Sequence, residues 1–287
     1  RDWSSDVCSS DLLAVSYTIS YITNRLEPKI EWFFGSLARQ NGSGIPVNIV
    51  DFHAGSIERQ QKVEDLANHY GINLNWHTEP KPTVWQGRYR LTKEDYFAAS
   101  NASNTAIAIC ETDWIVFVDD LSVLRPGWLD CVKEATTRDG VTCGAYRKVL
   151  KLDVQDGEVV HHEEHPLGFD VRERQVGSNT LNRCGGQWFF GCSFVAPIDA
   201  LLKINGFDED CDSMGMQDCV AGLMLLLLLA CGAPGDSAST CDRDPPLSYE
   251  NFGKGLMERH CTGCHSSLLP EGRDRKSTRL NSSHEWI

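Results

Sequence analysis

The sequence predicts an α/β domain with a mostly parallel central sheet and helices on both of its faces. Three observations lead to this class: β-rich apolar runs alternate with helix-like segments, the strongest run is apolar on both faces, and polar residues follow the runs. The 287 residues, 41% of them hydrophobic, can bury the core of one large or two ordinary domains.

The elements follow one another regularly from residue 13. AVSYTISYITNR predicts a first strand, and PKIEWFFGSLARQNG repeats apolar residues at helical spacing from Ile30 until Gly42. IPVNIVDF predicts a second strand, and SIERQQKVEDLANHYG predicts a helix that Ser56 caps and Gly71 ends. INLNWH predicts the third strand, so the order is strand, helix, strand, helix, strand.

The fourth predicted strand, WIVFVDD, ends in two adjacent carboxylates, Asp119 and Asp120. Paired carboxylates repel each other unless a proton or cation lies between them, and Mg²⁺ or Mn²⁺ is often held by such a pair together with substrate phosphates. A solvated turn whose Asp caps the next element explains this stretch equally well. Ligands of parallel sheets bind beyond the carboxyl ends of the strands, so we expect Asn24, Arg25 and Asp51 at the same edge.

The charge of the chain restricts its partners. A formal net charge of −13 offers no cationic surface to nucleic acid or to an anionic bilayer. No apolar stretch reaches the roughly 18 to 20 residues that span a bilayer. We expect no nucleic-acid partner and no membrane association for residues 13–223, and their irregularly spaced cysteines predict reduced thiols in the cytoplasm.

Residues 13–223 resemble the family 2 glycosyltransferases of the GT-A fold. The similarity lies in motifs that occur in the family's order: TNR after the first strand, an Asp ending the second, SNTAIA, VDDL, GQWFFGCSFVAPIDALLKINGFDED and GMQDCVAGLML. The chain departs from the family at Ser103, where Arg is usual, at Leu121, the third position of the Asp-x-Asp motif, and at Gln217, where Glu is usual.

The resemblance implies a C-terminally truncated GT-A nucleotide-diphospho-sugar transferase. Such an enzyme moves a sugar from a nucleotide-sugar donor to a hydroxyl of a sugar or glycan acceptor, with inversion, and uses Mg²⁺ or Mn²⁺. The residues implied in donor binding are Thr23, Asn24, Arg25, Asp51, Asn104 and Asp119. Those implied elsewhere are Asp119 and Asp120 for the metal, Asp218 as catalytic base, and Trp188 and Gly186 on the acceptor side. Trp188 suits a sugar-stacking platform and a core position equally well.

A cluster of metal-binding residue types, HHEEH, occupies residues 161–165. It lies in a polar insertion, and its spacing does not bring the ring nitrogens together on a helix. The stretch therefore predicts a surface loop.

The composition changes at residue 224. A leucine-rich run ends in a lipobox-like Cys231, a linker-like stretch follows, and CTGCH is the attachment motif of c-type haem, with Cys261 and Cys264 as thioether donors and His265 as iron ligand. Residues 224–273 thus resemble the start of an exported, lipid-anchored cytochrome c-type electron carrier with covalent haem c. A cleavable signal belongs at an N-terminus, so we expect a chimera with a poorly ordered or partly helical tail; a genuine fusion is the alternative. The leucine run itself should continue the preceding helix.

Neither end of the chain has the hydrophobic periodicity of a folded segment. Residues 1–12 contain DWSSDVCSSDL and residues 274–287 contain DRKSTRLNSSH. One back-translation of the first segment has a reverse complement that encodes the second in another frame. Both segments therefore resemble translated sequencing-adapter DNA; a disordered polar tail at each end is the alternative.

Overall fold

A computed structural model of the chain describes residues 16–82, 97–138, 140–172, 184–213 and 216–231. The strands are β1 (Tyr17–Thr23), β2 (Val47–Asp51), β3 (Leu74–Thr78), β4 (Trp114–Asp119), β5 (Thr142–Cys143), β6 (Arg147–Gln155), β7 (Glu158–Phe169) and β8 (Ser193–Pro197). The α-helices are α1 (Ile30–Ala38), α2 (Ile57–Tyr70), α3 (Ala99–Ala108), α4 (Trp128–Ala135), α5 (Ile198–Lys203) and α6 (Gln217–Cys231). Two 3₁₀ turns cover Gly186–Trp188 and Glu209–Ser213.

The main sheet within these residues has the strand order β3-β2-β1-β4-β8-β5. The four strands β3, β2, β1 and β4 are parallel, whereas β8 runs antiparallel to β4 and β5 antiparallel to β8. The predicted α/β class with a mostly parallel sheet is confirmed.

Two apolar clusters place helices on both faces of this sheet. On one face Phe33 and Phe34 of α1 and Val63 of α2 pack with Ile19 and Tyr21 of β1, and α4 joins them. The other cluster contains residues of α3, α5 and α6 packed against β1, β2, β4 and β8. Burial of this apolar area on two sides is the main stabilising contribution to such a layered domain.

The predicted N-cap and C-terminal glycine of α2 are both confirmed. Ser56 Oγ accepts a hydrogen bond from Arg59 N at 3.3 Å, which satisfies one of the free amides of the first turn. Gly71 follows the last turn with a φ of 65°, in the left-handed region that glycine enters without a steric penalty.

The predicted surface loop at HHEEH is wrong, because residues 161–165 lie within β7 of a two-stranded antiparallel ribbon with β6. Most of these side chains are exposed. A ribbon with solvent on both sides needs no apolar face, so its sequence lacks the alternation that identifies a half-buried strand. Its tip lies against α1, where Gly157 meets the backbone of Gly35 and Glu158 pairs with Arg39 at 2.7 Å.

Helix α6 runs unbroken from Gln217 to Cys231, as expected for the leucine run. Its N-terminal half packs on the domain: Gly222 lies against the backbone of Gly186, where an added Cβ would come within 2.3 Å of the Gly186 oxygen. Leu225 is 5% exposed in the second apolar cluster, whereas Leu226 is 43% exposed. Residues 1–12 and 274–287, and the haem-motif residues Cys261, Cys264 and His265, lie outside the described part.

In the described ranges, none of the helices combines the length and the apolar character needed to cross a bilayer.

The packing of α6 yields a first prediction about the extent of the domain. We expect Leu225→Ala to lower the free energy of unfolding by about 2 to 5 kcal/mol, because it removes buried methyl groups and leaves a cavity. Leu226→Ala is the matched control and should cost about 0.5 kcal/mol or less. Urea denaturation of both variants measures the difference. Equal and small costs would show that the helix beyond residue 223 does not pack on the sheet.

Candidate active site

Parallel pairing brings the polar strand ends together at one edge of the sheet. Thr23 of β1 lies opposite Asp51 of β2, and Ile22 lies opposite Asp119 of β4. Asp119 N also donates to the carbonyl of Cys192 at 3.1 Å, so the start of the antiparallel β8 lies at the same edge. The convergence expected from the sequence is therefore present.

Asp120 is held by groups of the loop that follows β1. Its Oδ2 accepts from Thr23 Oγ1 at 3.1 Å and lies 2.9 Å from Arg25 Nε. Burial raises the pKa of the Asp120 carboxyl, and Arg25 and Thr23 oppose that rise. The next residue, Leu121, has a φ of 56° and donates its amide to the hydroxyl of Tyr21 at 3.3 Å. A left-handed leucine costs about 1 to 2 kcal/mol, so the turn stores strain directly after the carboxylate pair.

Asp119 has an unfavourable electrostatic environment when it is ionised. Burial, and then the carboxylates of Asp120 and Asp218, raise its pKa from 3.8 to about 7. Asp218 lies close to the strand-end pair although it is distant in sequence, because its Oδ2 accepts from Gly191 N and the carbonyl of the next residue, Cys192, accepts from Asp119 N. Three carboxylates thus share one edge.

Asp218 lies in the first turn of α6 and faces the start of β8. Its Oδ2 accepts from Gly191 N at 3.1 Å and its Oδ1 from Cys219 N at 2.8 Å. Burial raises the pKa of the carboxyl, and these amide hydrogen bonds lower it in part. The side chain is therefore oriented by two backbone donors and has a raised proton affinity.

Asp51 lies at the same edge but points into protein contacts. It is fully buried, and its Oδ2 lies 2.6 Å from Arg59 Nε and 3.1 Å from His77 Nε2. Its Oδ1 accepts from the amide of His53 at 2.9 Å. The predicted contact between Asp51 and a nucleobase stays a prediction.

Arg59 also holds the loop that follows β1. Its Nη2 donates to the carbonyl of Arg25 at 2.9 Å, and its Nη1 donates to the carbonyl of Leu26 at 2.8 Å. His53 Nε2 donates to the carbonyl of Asn24, the preceding residue, at 3.0 Å. The backbone of the predicted donor-binding loop is thus fixed by two side chains that sequence reasoning missed.

A signal for Arg59 exists in the sequence. A cation in the first turn of a helix is disfavoured by the helix macrodipole, so an arginine three residues after the Ser56 cap needs a compensating partner. That partner is Asp51.

Asn104, predicted at the donor, joins α3 to the segment after α5. Its Oδ1 accepts from Phe207 N and its Nδ2 donates to Phe207 O, both at 2.8 Å. Nδ2 also donates to Glu209 Oε1 at 2.9 Å, and Glu209 forms an ion pair with Lys81. These contacts make Asn104 a structural clamp, and its role at the nucleotide stays a prediction.

The predicted acceptor-side residues, Gly186 and Trp188, are the first and last residues of the 3₁₀ turn that precedes β8. Trp188 is half-buried and meets the ring of Phe190 edge to face at 6.4 Å between centroids. The Phe190 ring also contacts the guanidinium of Arg172, whose Cζ lies 4.8 Å from the ring centroid. Gly186 packs against Gly222, so its lack of a side chain serves the contact with α6.

Comparison with known proteins gives distant structural likenesses. No family model and no curated protein match the chain. The mannosyltransferase PcManGT from Pyrobaculum calidifontis, in complex with GDP-Man and Mn²⁺, matches with 18% identity, 71% of this chain, 50% of its own and a TM-score of 0.41. The bifunctional IspDF from Campylobacter jejuni matches with 10% identity, 72% of this chain, 46% of its own and a TM-score of 0.35. The chain spans about half the length of each structure.

The raised pKa of Asp119 predicts a pH-dependent stability. The folded-state pKa of about 7 lies above the ordinary value of 3.8, so between these pH values the folded protein holds a proton that the unfolded chain has lost. The free energy of unfolding therefore falls as the pH rises from about 4 through 7. Asp119→Asn removes the charge, so without divalent cations we expect its Tm at pH 8 to exceed the wild-type Tm by several degrees. At pH 4 the two should coincide.

The exposed Asp130 supplies the control, since Asp130→Asn should change the Tm at neither pH. Thermal unfolding in EDTA at both pH values measures these differences. A lower Tm for Asp119→Asn at pH 8 would contradict the assigned environment.

Proposed function

We propose that this domain transfers a sugar from a nucleotide-sugar donor to an acceptor hydroxyl, with inversion, using Mg²⁺ or Mn²⁺. The observation that carries the proposal is the convergence of Asp119, Asp120 and Asp218 beside Arg25 at the carboxyl edge of the parallel strands. Such an edge is where open α/β sheets bind ligands.

The donor set fits a hard divalent cation. Carboxylate oxygens are the ligands that Mg²⁺ and Mn²⁺ prefer, and a cation beside Asp119 would relieve the repulsion that raises its pKa. Within the described residues no group of three or more His, Cys, Asp or Glu side chains is placed to hold a metal ion. The proposed cation would therefore need phosphate oxygens and water to complete its coordination. Asp119 and Asp120 would hold it.

The residues around the pair suit a leaving diphosphate. When bound, the cation would neutralise negative charge that develops on the diphosphate. Arg25 lies half-exposed beside Asp120 and supplies a guanidinium that can bind phosphate oxygens with two parallel hydrogen bonds. The hydroxyl of Thr23 donates to the same oxygen of Asp120, Oδ2, and helps to orient the carboxylate.

Asp218 is the group that we assign to the attacking hydroxyl. A general base works best when its pKa approaches the operating pH, and burial raises that of Asp218 above its ordinary value. The amides of Gly191 and Cys219 fix the direction of its oxygens. Half-buried Trp188, in the turn before Gly191, offers an apolar surface to the C–H face of an acceptor sugar.

The proposed donor site predicts metal-dependent binding of a nucleoside diphosphate. With Mn²⁺ or Mg²⁺, UDP or GDP should raise the Tm of the wild-type protein, by an amount equivalent to about 2.7 kcal/mol at a ligand concentration of 100 Kd. Asp119→Asn and Asp120→Asn should lose the shift, because each removes a carboxylate ligand. Thermal-shift titrations measure this, with Asp130→Asn as the variant that should keep it. A wild-type protein that responds to no nucleoside diphosphate with either cation would argue against the proposal.

The base role of Asp218 predicts a separation of binding from turnover. In Asp218→Asn we expect the Kd of the cation-bound nucleoside diphosphate to change less than about threefold, while sugar transfer falls by about 10²- to 10⁴-fold. Release of nucleoside diphosphate from a panel of nucleotide sugars, with a mixed glycan acceptor, measures the turnover. Unchanged turnover in this variant would remove Asp218 from the mechanism.

A further inference from the structure

We infer that Asp51 and Arg59 form a buried brace that positions the loop of residues 24–26, and that Asp51 acts on the phosphate end of the site through Arg59. Only the identity of the bound group rests on the proposed function. Arg59 is then a positioning residue, and Asp51 affects the donor through protein contacts.

The first support is the hydrogen bonding of the Arg59 guanidinium. Two of its nitrogens face Asp51, Nε at 2.6 Å from Oδ2 and Nη2 at 3.3 Å from Oδ1. The outward hydrogens of Nη2 and Nη1 reach the carbonyls of Arg25 and Leu26 at 2.9 and 2.8 Å. One rigid planar group therefore joins the end of β2 to two consecutive carbonyls of the loop, a geometry that lysine cannot reproduce.

The second support is the state of Asp51. Its side chain has no exposed area, and both oxygens accept hydrogen bonds from Arg59, His77 or the amide of His53. Burial alone would raise the pKa of the carboxyl, but the bonds from His77 and Arg59 lower it, so it stays ionised. A buried carboxylate with this many donors would have to break them to reach a nucleobase, which costs more than one new hydrogen bond returns.

The third support is the continuity from the brace to the carboxylate pair. Arg59 fixes the carbonyl of Arg25, and the side chain of that same residue lies 2.9 Å from Asp120. His53 fixes the preceding carbonyl, that of Asn24, at 3.0 Å. A loop anchored at three successive carbonyls limits the positions that the Arg25 guanidinium can reach, and so presents it towards Asp120 and a bound phosphate.

Binding of Mg²⁺–pyrophosphate, compared with Mg²⁺–UDP and Mg²⁺–GDP, tests the inference because pyrophosphate lacks a base. We expect Arg59→Lys and Asp51→Asn each to weaken pyrophosphate and nucleotide by the same factor, about tenfold, in isothermal titration. His53→Gln, which leaves the buried pair intact, should weaken both by a smaller factor. If Asp51→Asn weakens the nucleotides and leaves pyrophosphate unchanged, Asp51 contacts the base and the inference is overturned.

Arg39→Lys is the matched control. Arg39 makes an ion pair with Glu158 in which both side chains are more than half exposed, at 52% and 60%, so the same substitution there should leave all three affinities unchanged.

Hydrogen exchange of the full chain without ligand separates this inference from the proposed function. We expect the amides of residues 24–27 to exchange about tenfold faster in Arg59→Lys than in the wild type, while those of β4 keep their protection. If the wild type binds neither pyrophosphate nor nucleotide, the proposed function fails, and the exchange rates still decide the brace. Unchanged exchange at residues 24–27 in Arg59→Lys would overturn it.

Discussion

The parallel pairing of β1 with β2 on one side and β4 on the other is the constraint on which the site depends. It aligns the ends of the three strands, so the residues that follow them share one edge. Ile19 and Tyr21 are fully buried on one face of β1. A shift of one residue would turn them to the opposite face, so the burial of β1 fixes the register and thereby the position of Asp119.

The edge that results carries an excess of negative charge. Asp119, Asp120 and Asp218 lie near one another, while Arg25 pairs with Asp120 and Arg59 is committed to Asp51. Because these surroundings disfavour the ionised form of Asp119, a cation bound there would relieve the repulsion between the carboxylates. Burial also raises the pKa of the Asp218 carboxyl, so burial is the first cause of the raised proton affinity at both Asp119 and Asp218.

Helix α6 connects this edge to the packing of the domain. Asp218 in its first turn faces Gly191, Gly222 lies against Gly186 in the next, and Leu225 is buried with the second apolar cluster. The packed length of the helix therefore includes Leu225, which lies beyond the predicted boundary at residue 223. That boundary rests on composition and stays a prediction, because a leucine at 225 suits both the core of the sheet and a signal-like run.

The sequence by itself determined the four parallel strands, the helices α1 and α2 with the two ends of α2, and the polar residues at the strand ends. These follow from local periodicity, capping and the alternation of elements, which act over a few residues. Tertiary structure decided the partners: Asp51 with Arg59, Asn104 with Phe207 and Glu209, and Asp218 with Gly191. Tertiary structure also placed residues 161–165 in a strand. Their polar sequence does not predict a strand, and the hydrogen-bonded pairing with β6 stabilises it. Hydrogen bonds and charge effects depend on distance in space. Folding brings these partners together, and their positions along the sequence do not reveal which residues will meet.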